Sequence, residues 1–256
     1  DEDYITGDKP AFDRFLKFVE SLELAIGNPM YHWCHMELQK FFGIYEPLTV
    51  ESAERIWNHC NKMLREDPDM TARGLIKKSN VAFIGTTDDP IDDLCWHEKI
   101  AADSSFDTIV APSFRPDKAL NADKPGYLAY IAALEKASGI EIHELDHLKA
   151  ALKNRIEYFH AHGCKASDHG LDRIVWSLGN ADAVLQKALR GEHVSVEEAD
   201  VLRTDLLLFC AREYHRLGWA MQLHFNCLRN PNSAEFARLG PDTGFDTIGP
   251  RSAADT

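Results

Sequence analysis

The 256-residue chain has no uninterrupted apolar run of the roughly 18 residues that would span a bilayer. Its N-terminus, DEDYITGDKP, carries neither a basic nor an apolar leader segment, so no secretory signal is expected there. It is also short of positive charge. Twenty-eight Lys and Arg stand against 41 Asp and Glu, for a net charge of -13. Long-range attraction to nucleic acid or to anionic lipid is therefore excluded as the main mode of action. An anionic small molecule could still be held by locally placed arginines. The six cysteines are widely spaced and contain no C-x-x-C, which argues against a disulfide framework and for free thiols in a reducing cytoplasm. Internal repeats and low-complexity linkers are absent.

With 45% hydrophobic and 27% charged residues, the composition is that of a globular protein large enough for a sizeable core. Residues 10–66 read as helices. In PAFDRFLKFVESLELAI, the apolar residues Phe12, Phe15, Leu16, Val19, Leu22 and Leu24 recur near the 3.6-residue period. Pro10 suits the first turn and Gly27 the stop. A second helix covers about Tyr31 to Phe41. A third follows Pro47, with Ser52 as cap. From about Asn80 the pattern changes. NVAFIGT and DTIVAPSF are short apolar runs of buried parallel strands. GCKASDHG is a weaker strand and WAMQLHF a fourth, with helical stretches between them, one of them long and broken near Gly191. This alternation predicts an α/β fold with right-handed crossovers, either an open doubly wound sheet or part of a closed (β/α) barrel.

The polar residues gather at the C-terminal ends of these strands. The first ends in Thr86, Thr87, Asp88 and Asp89, the second in Ser113, Arg115 and Asp117. Ser167, Asp168 and His169 follow the third, and His224, Asn226 and Arg229 the fourth. In parallel β/α architectures those ends share one face, where sites are built. Each residue also has a structural alternative. Asp88 and Asp89 could cap the next helix, and Asp117 reads first as a turn residue. Arg115 could pair with a neighbouring Asp, and His169 and His224 could be core histidines. In YHWCHMEL, His32 and His35 share a helix face but Cys34 points elsewhere, so the segment reads as packing, not as a zinc site. His160 and His162 form an H-x-H pair, but they precede the third strand and so lie at the wrong face.

Five stretches carry a family resemblance: NPMYHWCHMELQKFFGI, GTTDDPIDDL, PSFRPDKALN, AHGCKASDHGLD and LHFNCLRNPN with the later LGPDTGFD. In this order they resemble the uronate (glucuronate) isomerases of the amidohydrolase superfamily. The resemblance implies a distorted (β/α)8 barrel of TIM type with a helical insertion after the first strand. Residues 1–78 would be that insertion, and residues 79–256 a partial barrel of strands two to five. It implies a cytoplasmic enzyme of sugar-acid catabolism converting D-glucuronate to D-fructuronate and D-galacturonate to D-tagaturonate. It also implies a divalent metal, commonly zinc. The family's first-strand H-x-H and last-strand Asp are not found here, so metal ligands are expected outside this chain, which reads as an internal piece expected to be inactive alone. Under the resemblance, His224 matches the fifth-strand histidine and takes the catalytic, proton-handling role. Arg115 binds the substrate carboxylate, and His169, Asp88 and Asp168 line the substrate. Its partner is a small uronate, with no nucleic acid and no membrane. A homo-oligomer is compatible with the sequence and not specified by it. Two alternatives stand beside this reading. One is another metal-dependent enzyme of the superfamily, a hydrolase or decarboxylase. The other is a non-enzymatic helical module binding metal through His32, Cys34 and His35.

Overall fold

The computed structural model describes residues 2–250. The chain divides into two compact units, one ending at Ala82 and the other beginning at Phe83.

The first unit is helical. Helices α1 (Ala11–Glu23), α2 (Pro29–Phe42), α3 (Ala53–Glu66) and α4 (Ala72–Lys78) follow one another. Val19 and Leu22 of α1, Leu38 of α2 and Ala53 and Ile56 of α3 close a small core with Leu48. Asn28 caps α2 by accepting from the Met30 amide at 2.9 Å, with Pro29 in the first turn. The α1 helix ends at Glu23, short of Gly27. The apolar periodicity that marked helices over residues 10–66 did not reveal α4, whose seven residues include Gly74 and present no long apolar stripe. Thr71 caps it through the Gly74 amide.

The second unit is a parallel α/β structure. Strands β1 (Phe83–Asp88), β2 (Ile109–Phe114), β3 (Ala166–Gly170) and β4 (Ala220–His224) pair in the order 1-2-3-4, all parallel. Helix α5 (Cys95–Ala101) connects β1 to β2. Helices α6 (Asp117–Leu120), α7 (Tyr127–Ser138) and α8 (Leu145–Ala161) lead to β3, and α9 (Ala181–Leu189) and α10 (Val196–Leu217) lead to β4. A doubly wound sheet reverses strand order at a switch point. This sheet never reverses, so each strand adds on the same side, as in one arc of a (β/α) barrel. Beyond β4, strands β5 (Cys227–Leu228) and β6 (Thr247–Ile248) form a small antiparallel pair around helix α11 (Ser233–Leu239). Two residues per strand are too few for an alternation pattern to be legible.

Two strands start later than their apolar runs suggest. Asn80 sits in the left-handed region at φ 53°, closing the turn after α4, so pairing begins at Phe83. Gly163 at φ 89° and the Cys164 amide, bonded to the Phe159 carbonyl, still belong to the end of α8, so β3 begins at Ala166. The break at Gly191 is followed by a capping box on α10. The Ser195 hydroxyl accepts from the Glu198 amide, and Glu198 accepts from the Ser195 amide at 2.8 Å.

The core lies between the sheet and its helices. Phe114 of β2 is fully buried, edge-on to Phe159 of α8 at 5.1 Å between centroids, and near Tyr214 of α10 and Trp219. The pairing Asp88↔Phe114↔Ser167 fixes which residues share this helix-facing side, because side-by-side partners in a ladder point the same way and neighbours along a strand alternate. Asp88, Ser167 and His169 therefore face the helices. Thr87, Ser113, Asp168, Gln222 and His224 face the opposite, inner side of the arc.

Candidate functional site

Arg115 follows β2 directly, and its amide donates to the Asp88 carbonyl at 2.9 Å, extending the ladder by one residue. Its side chain takes the inner side. Arg115 Nε donates to Asp117 Oδ2 at 2.9 Å, and Nη1 lies 3.6 Å from Asp168 Oδ2. Asp168 is in turn 2.7 Å from Nδ1 of His224 through its other oxygen, Oδ1, although that oxygen receives no hydrogen bond of good geometry. Thr87 Oγ1 donates to Asp168 Oδ2 at 3.4 Å from the first strand. One guanidinium, one carboxylate and one imidazole from three consecutive strands thus meet on one side of the sheet. Asp168 is nearly buried, whereas Arg115 and His224 keep 34% and 57% of their side chains open to solvent. The open groups can meet a ligand while the carboxylate between them organises the pair.

The close approach of Arg115 depends on Gly170. A Cβ at that position would stand 2.1 Å from Arg115 Nη2. The Gly170 amide also donates to Asp117 Oδ2 at 2.9 Å, so this oxygen accepts from both the third strand and the arginine. Burial pushes the Asp117 carboxyl above the ordinary carboxylate value, and the bonds from Arg115 and Gly170 oppose that shift. A cavity of about 270 Å³ adjoins the cluster. It is lined by Asp117, Gly170, Asp172 and Arg173 among others. The arginines around it are internally paired: Arg173 with Asp200, Arg203 with Asp123 and Asp200, and Arg229 with Asp246.

Two residues expected at the substrate do not join this cluster. His169 is one position out of phase with Asp168. It is fully buried on the helix side, 5.8 Å from the Tyr214 ring, and burial lowers its pKa to about 4. With no exposed surface it cannot wall a substrate. Its Nδ1 is 3.9 Å from Asp117 Oδ1, and neither ring nitrogen has a hydrogen bond. Asp88 is likewise out of phase with Thr87. It accepts from Thr86 Oγ1 at 2.6 Å, and His97 of α5 stands 2.7 Å from the same hydroxyl, so Asp88 serves to tie β1 to α5. Sequence reasoning named Thr87 and Asp117 among the strand-end residues, reading Asp117 first as a turn residue, and did not single out Gln222. The signal for Asp117 was its place two residues after Arg115, within reach of the guanidinium. Gln222, whose amide touches the ring of His224, could have been found from the two-residue period of β4.

In the first unit, His35 is used internally. Its Nδ1 is 2.7 Å from the Tyr31 carbonyl, and its Nε2 accepts from the Leu48 amide at 2.9 Å. Among the described residues no group of three or more His, Cys, Asp or Glu side chains is placed to hold a metal ion. Nor is any helix among them long and apolar enough to cross a membrane.

A parallel arc with sequential strands, carrying an arginine, a carboxylate and a histidine at its C-terminal ends, defines an enzyme-type (β/α)-barrel segment. The comparisons make the class specific. The sequence model of the glucuronate isomerase family matches residues 1–256. A uronate isomerase of Caldanaerobacter subterraneus is 44% identical over 252 residues, which is 97% of this chain and 54% of the relative. One of Clostridium acetobutylicum is 46% identical over 99% of this chain and 55% of its own length. The crystal structure of uronate isomerase from Thermotoga maritima superposes with a TM-score of 0.89 at 32% identity, covering 98% of this chain and 55% of that one. Glucuronate isomerase from Caulobacter crescentus, at 24% identity and a TM-score of 0.86, shares the fold. The chain belongs to the glucuronate isomerase family, and its α/β structure is a partial TIM-type barrel. It spans about half the length of the curated relatives it matches.

Proposed function

We propose that this chain supplies part of the substrate crevice of a uronate isomerase, which interconverts D-glucuronate with D-fructuronate and D-galacturonate with D-tagaturonate. The observation that carries the reading is the meeting of Arg115, Asp168 and His224 on the inner side of three adjacent strand ends. The family membership supports the same reading.

The reaction moves a proton from C2 to C1 of the open-chain aldehyde while negative charge develops on oxygen. It needs an anchor for the substrate carboxylate and a group that carries the proton. Arg115 is the anchor. A guanidinium binds a carboxylate through two parallel N–H bonds and fixes the sugar's orientation as well as its charge. His224 is the proton-handling group. The Asp168 carboxylate lies 2.7 Å from its Nδ1, beside the ring on the inner side of the sheet. His169 and Asp88 take no part in substrate contact, because they face the helices. The divalent metal, commonly zinc, that the resemblance implies belongs to the proposal for the whole protein. The donor set here does not suit it: Asp168 already has a guanidinium 3.6 Å away, and the described residues offer no third ligand. No step is assigned to it. A cytoplasmic setting is part of the same proposal, supported by six free cysteines.

The test is isomerisation of both uronates by the full-length protein. Arg115→Met is expected to lower kcat/KM by about a hundredfold or more, as loss of a bidentate charge-assisted contact does. His35→Ala, which removes a bond to Leu48 within the helical unit, is expected to leave kcat/KM within a few-fold. Equal and mild effects of the two changes would end the assignment.

A further inference from the structure

Arg115 is held by one edge. Of its donors, Nε bonds Asp117 Oδ2 at 2.9 Å, while Nη1 stands 3.6 Å from Asp168, too far for a good hydrogen bond. The Asp117 oxygen is itself anchored, because the Gly170 amide at the end of β3 donates to it at 2.9 Å. One carboxylate oxygen therefore ties the residue after β2 to the last residue of β3. The absence of a side chain at Gly170 leaves the channel through which the guanidinium passes. Asp117 opens α6, so it is mounted on an element whose Ala119 and Leu120 are buried in the core. Its second oxygen makes no hydrogen bond and is buried beside His169. Burial of an anion with half its lone pairs unused is costly unless a specific pairing requires the carboxylate there. The pairing with Arg115 Nε is that requirement.

We propose that Asp117 is a positioning residue, which clamps the Nε edge of Arg115 so that the Nη1–Nη2 edge is presented to a carboxylate in the crevice. This rests on the reading of Arg115 as the uronate anchor. A free arginine samples many rotamers and loses that freedom on binding, at a cost that a preformed clamp removes. The clamp therefore acts on substrate binding and leaves the proton transfer at His224 untouched. It also selects the ligand geometry. With Nε taken by Asp117, the donors left for a ligand are those of Nη1 and Nη2, with Asp168 3.6 Å from Nη1 and Gly170 beside Nη2.

The experiment uses the full-length protein and D-glucuronate. Asp117→Ala is expected to raise KM about tenfold to a hundredfold with kcat within a few-fold of the parent. Asp117→Asn keeps an acceptor oxygen for Nε and for the Gly170 amide, and is expected to recover most of the loss. In an Arg115→Met background, Asp117→Ala is expected to add nothing, because the residue it positions is gone. Should Asp117→Ala fail to fold, Asp117→Glu serves in its place. It keeps the charge but moves the carboxylate by one methylene, and is expected to raise KM at least about fivefold. Parental KM in folded Asp117→Ala or Asp117→Glu, or an equal KM increase on adding Asp117→Ala in the Arg115→Met background, would overturn the clamp while leaving the anchor standing. A parental KM in Arg115→Met alone would remove the anchor, and the clamp with it.

Discussion

Replacing Gly170 by alanine isolates the site from the fold. Gly170 lies at the end of β3 and is not in the left-handed region, so the backbone itself tolerates a side chain. The new Cβ, however, would stand 2.1 Å from Arg115 Nη2, 3.1 Å from Asp117 Oδ2 and 3.2 Å from Arg115 Cζ. A carbon and a nitrogen rest at about 3.5 Å, so the guanidinium must retreat by roughly 1.4 Å. That shift takes Nε out of hydrogen-bond range of Asp117. A charge-assisted bond of this kind contributes about 1.5–3 kcal/mol. Arg115 is about a third exposed, so water replaces part of it, and the loss to stability falls toward about 1 kcal/mol. The restricted unfolded chain of the alanine variant returns about 0.4–1 kcal/mol. The two nearly cancel, and the melting temperature is expected to move by no more than about 2–4 °C. Substrate binding has no such compensation. On the proposal that Arg115 anchors the uronate, its displacement is expected to raise KM for D-glucuronate in the full-length protein by about tenfold to a hundredfold, at 1.4 kcal/mol per factor of ten. Thermal melts and steady-state kinetics on the same preparation measure both. A variant with parental KM would refute the confinement of Arg115 by this glycine. A large loss of stability would show that the guanidinium and the Asp117 carboxylate cannot give way to the side chain.

Two other perturbations test the scaffold. Arg155 is buried on α8 and donates to the carbonyls of Pro90 at 2.6 Å, Asp92 at 2.9 Å and Ala137 at 3.1 Å. Arg155→Met leaves three acceptors without their donor and is expected to cost about 3 kcal/mol or more in urea unfolding, with the 89–93 loop losing amide protection first. His169 gives the chain an acid-side liability. Its folded pKa of about 4 lies below the ordinary 6.5, so between these values the unfolded state binds a proton that the folded state does not. Stability is complete above pH 6.5 and falls as pH drops toward 4. At 1.36 kcal/mol per unit, the loss attributable to His169 between pH 7.5 and pH 5 is about 2 kcal/mol. A His169→Gln variant is expected to lack that component, so its urea midpoint should fall less over the same interval. An identical pH dependence in both proteins would exclude His169 as the source.

The sequence by itself determined the class of the second unit and the strand ends at which its polar candidates gather. Apolar β-branched runs alternating with helical periods set strand against helix, because buried parallel strands shed polar residues along their length and regain them at their ends. Arg115, Asp168 and His224 were visible on that ground. The bounds of the elements were set by backbone features that composition carries only weakly, such as the left-handed Asn80 and the turn at Gly163 that postpones β3. Which side of the sheet each residue faces was decided by register. A step of one position along a strand exchanges inner for outer face. So Asp168 joins Arg115 and His224, while its neighbour His169 turns into the core and Asp88 turns toward α5. Only the tertiary structure fixes that phase, because it comes from pairing between strands whose partners lie up to 54 residues apart in the chain, and no local pattern encodes it. The same long-range pairing brings Gly170 beside Arg115 and makes Asp117, which looks like a turn residue along the chain, the partner that holds the arginine in place.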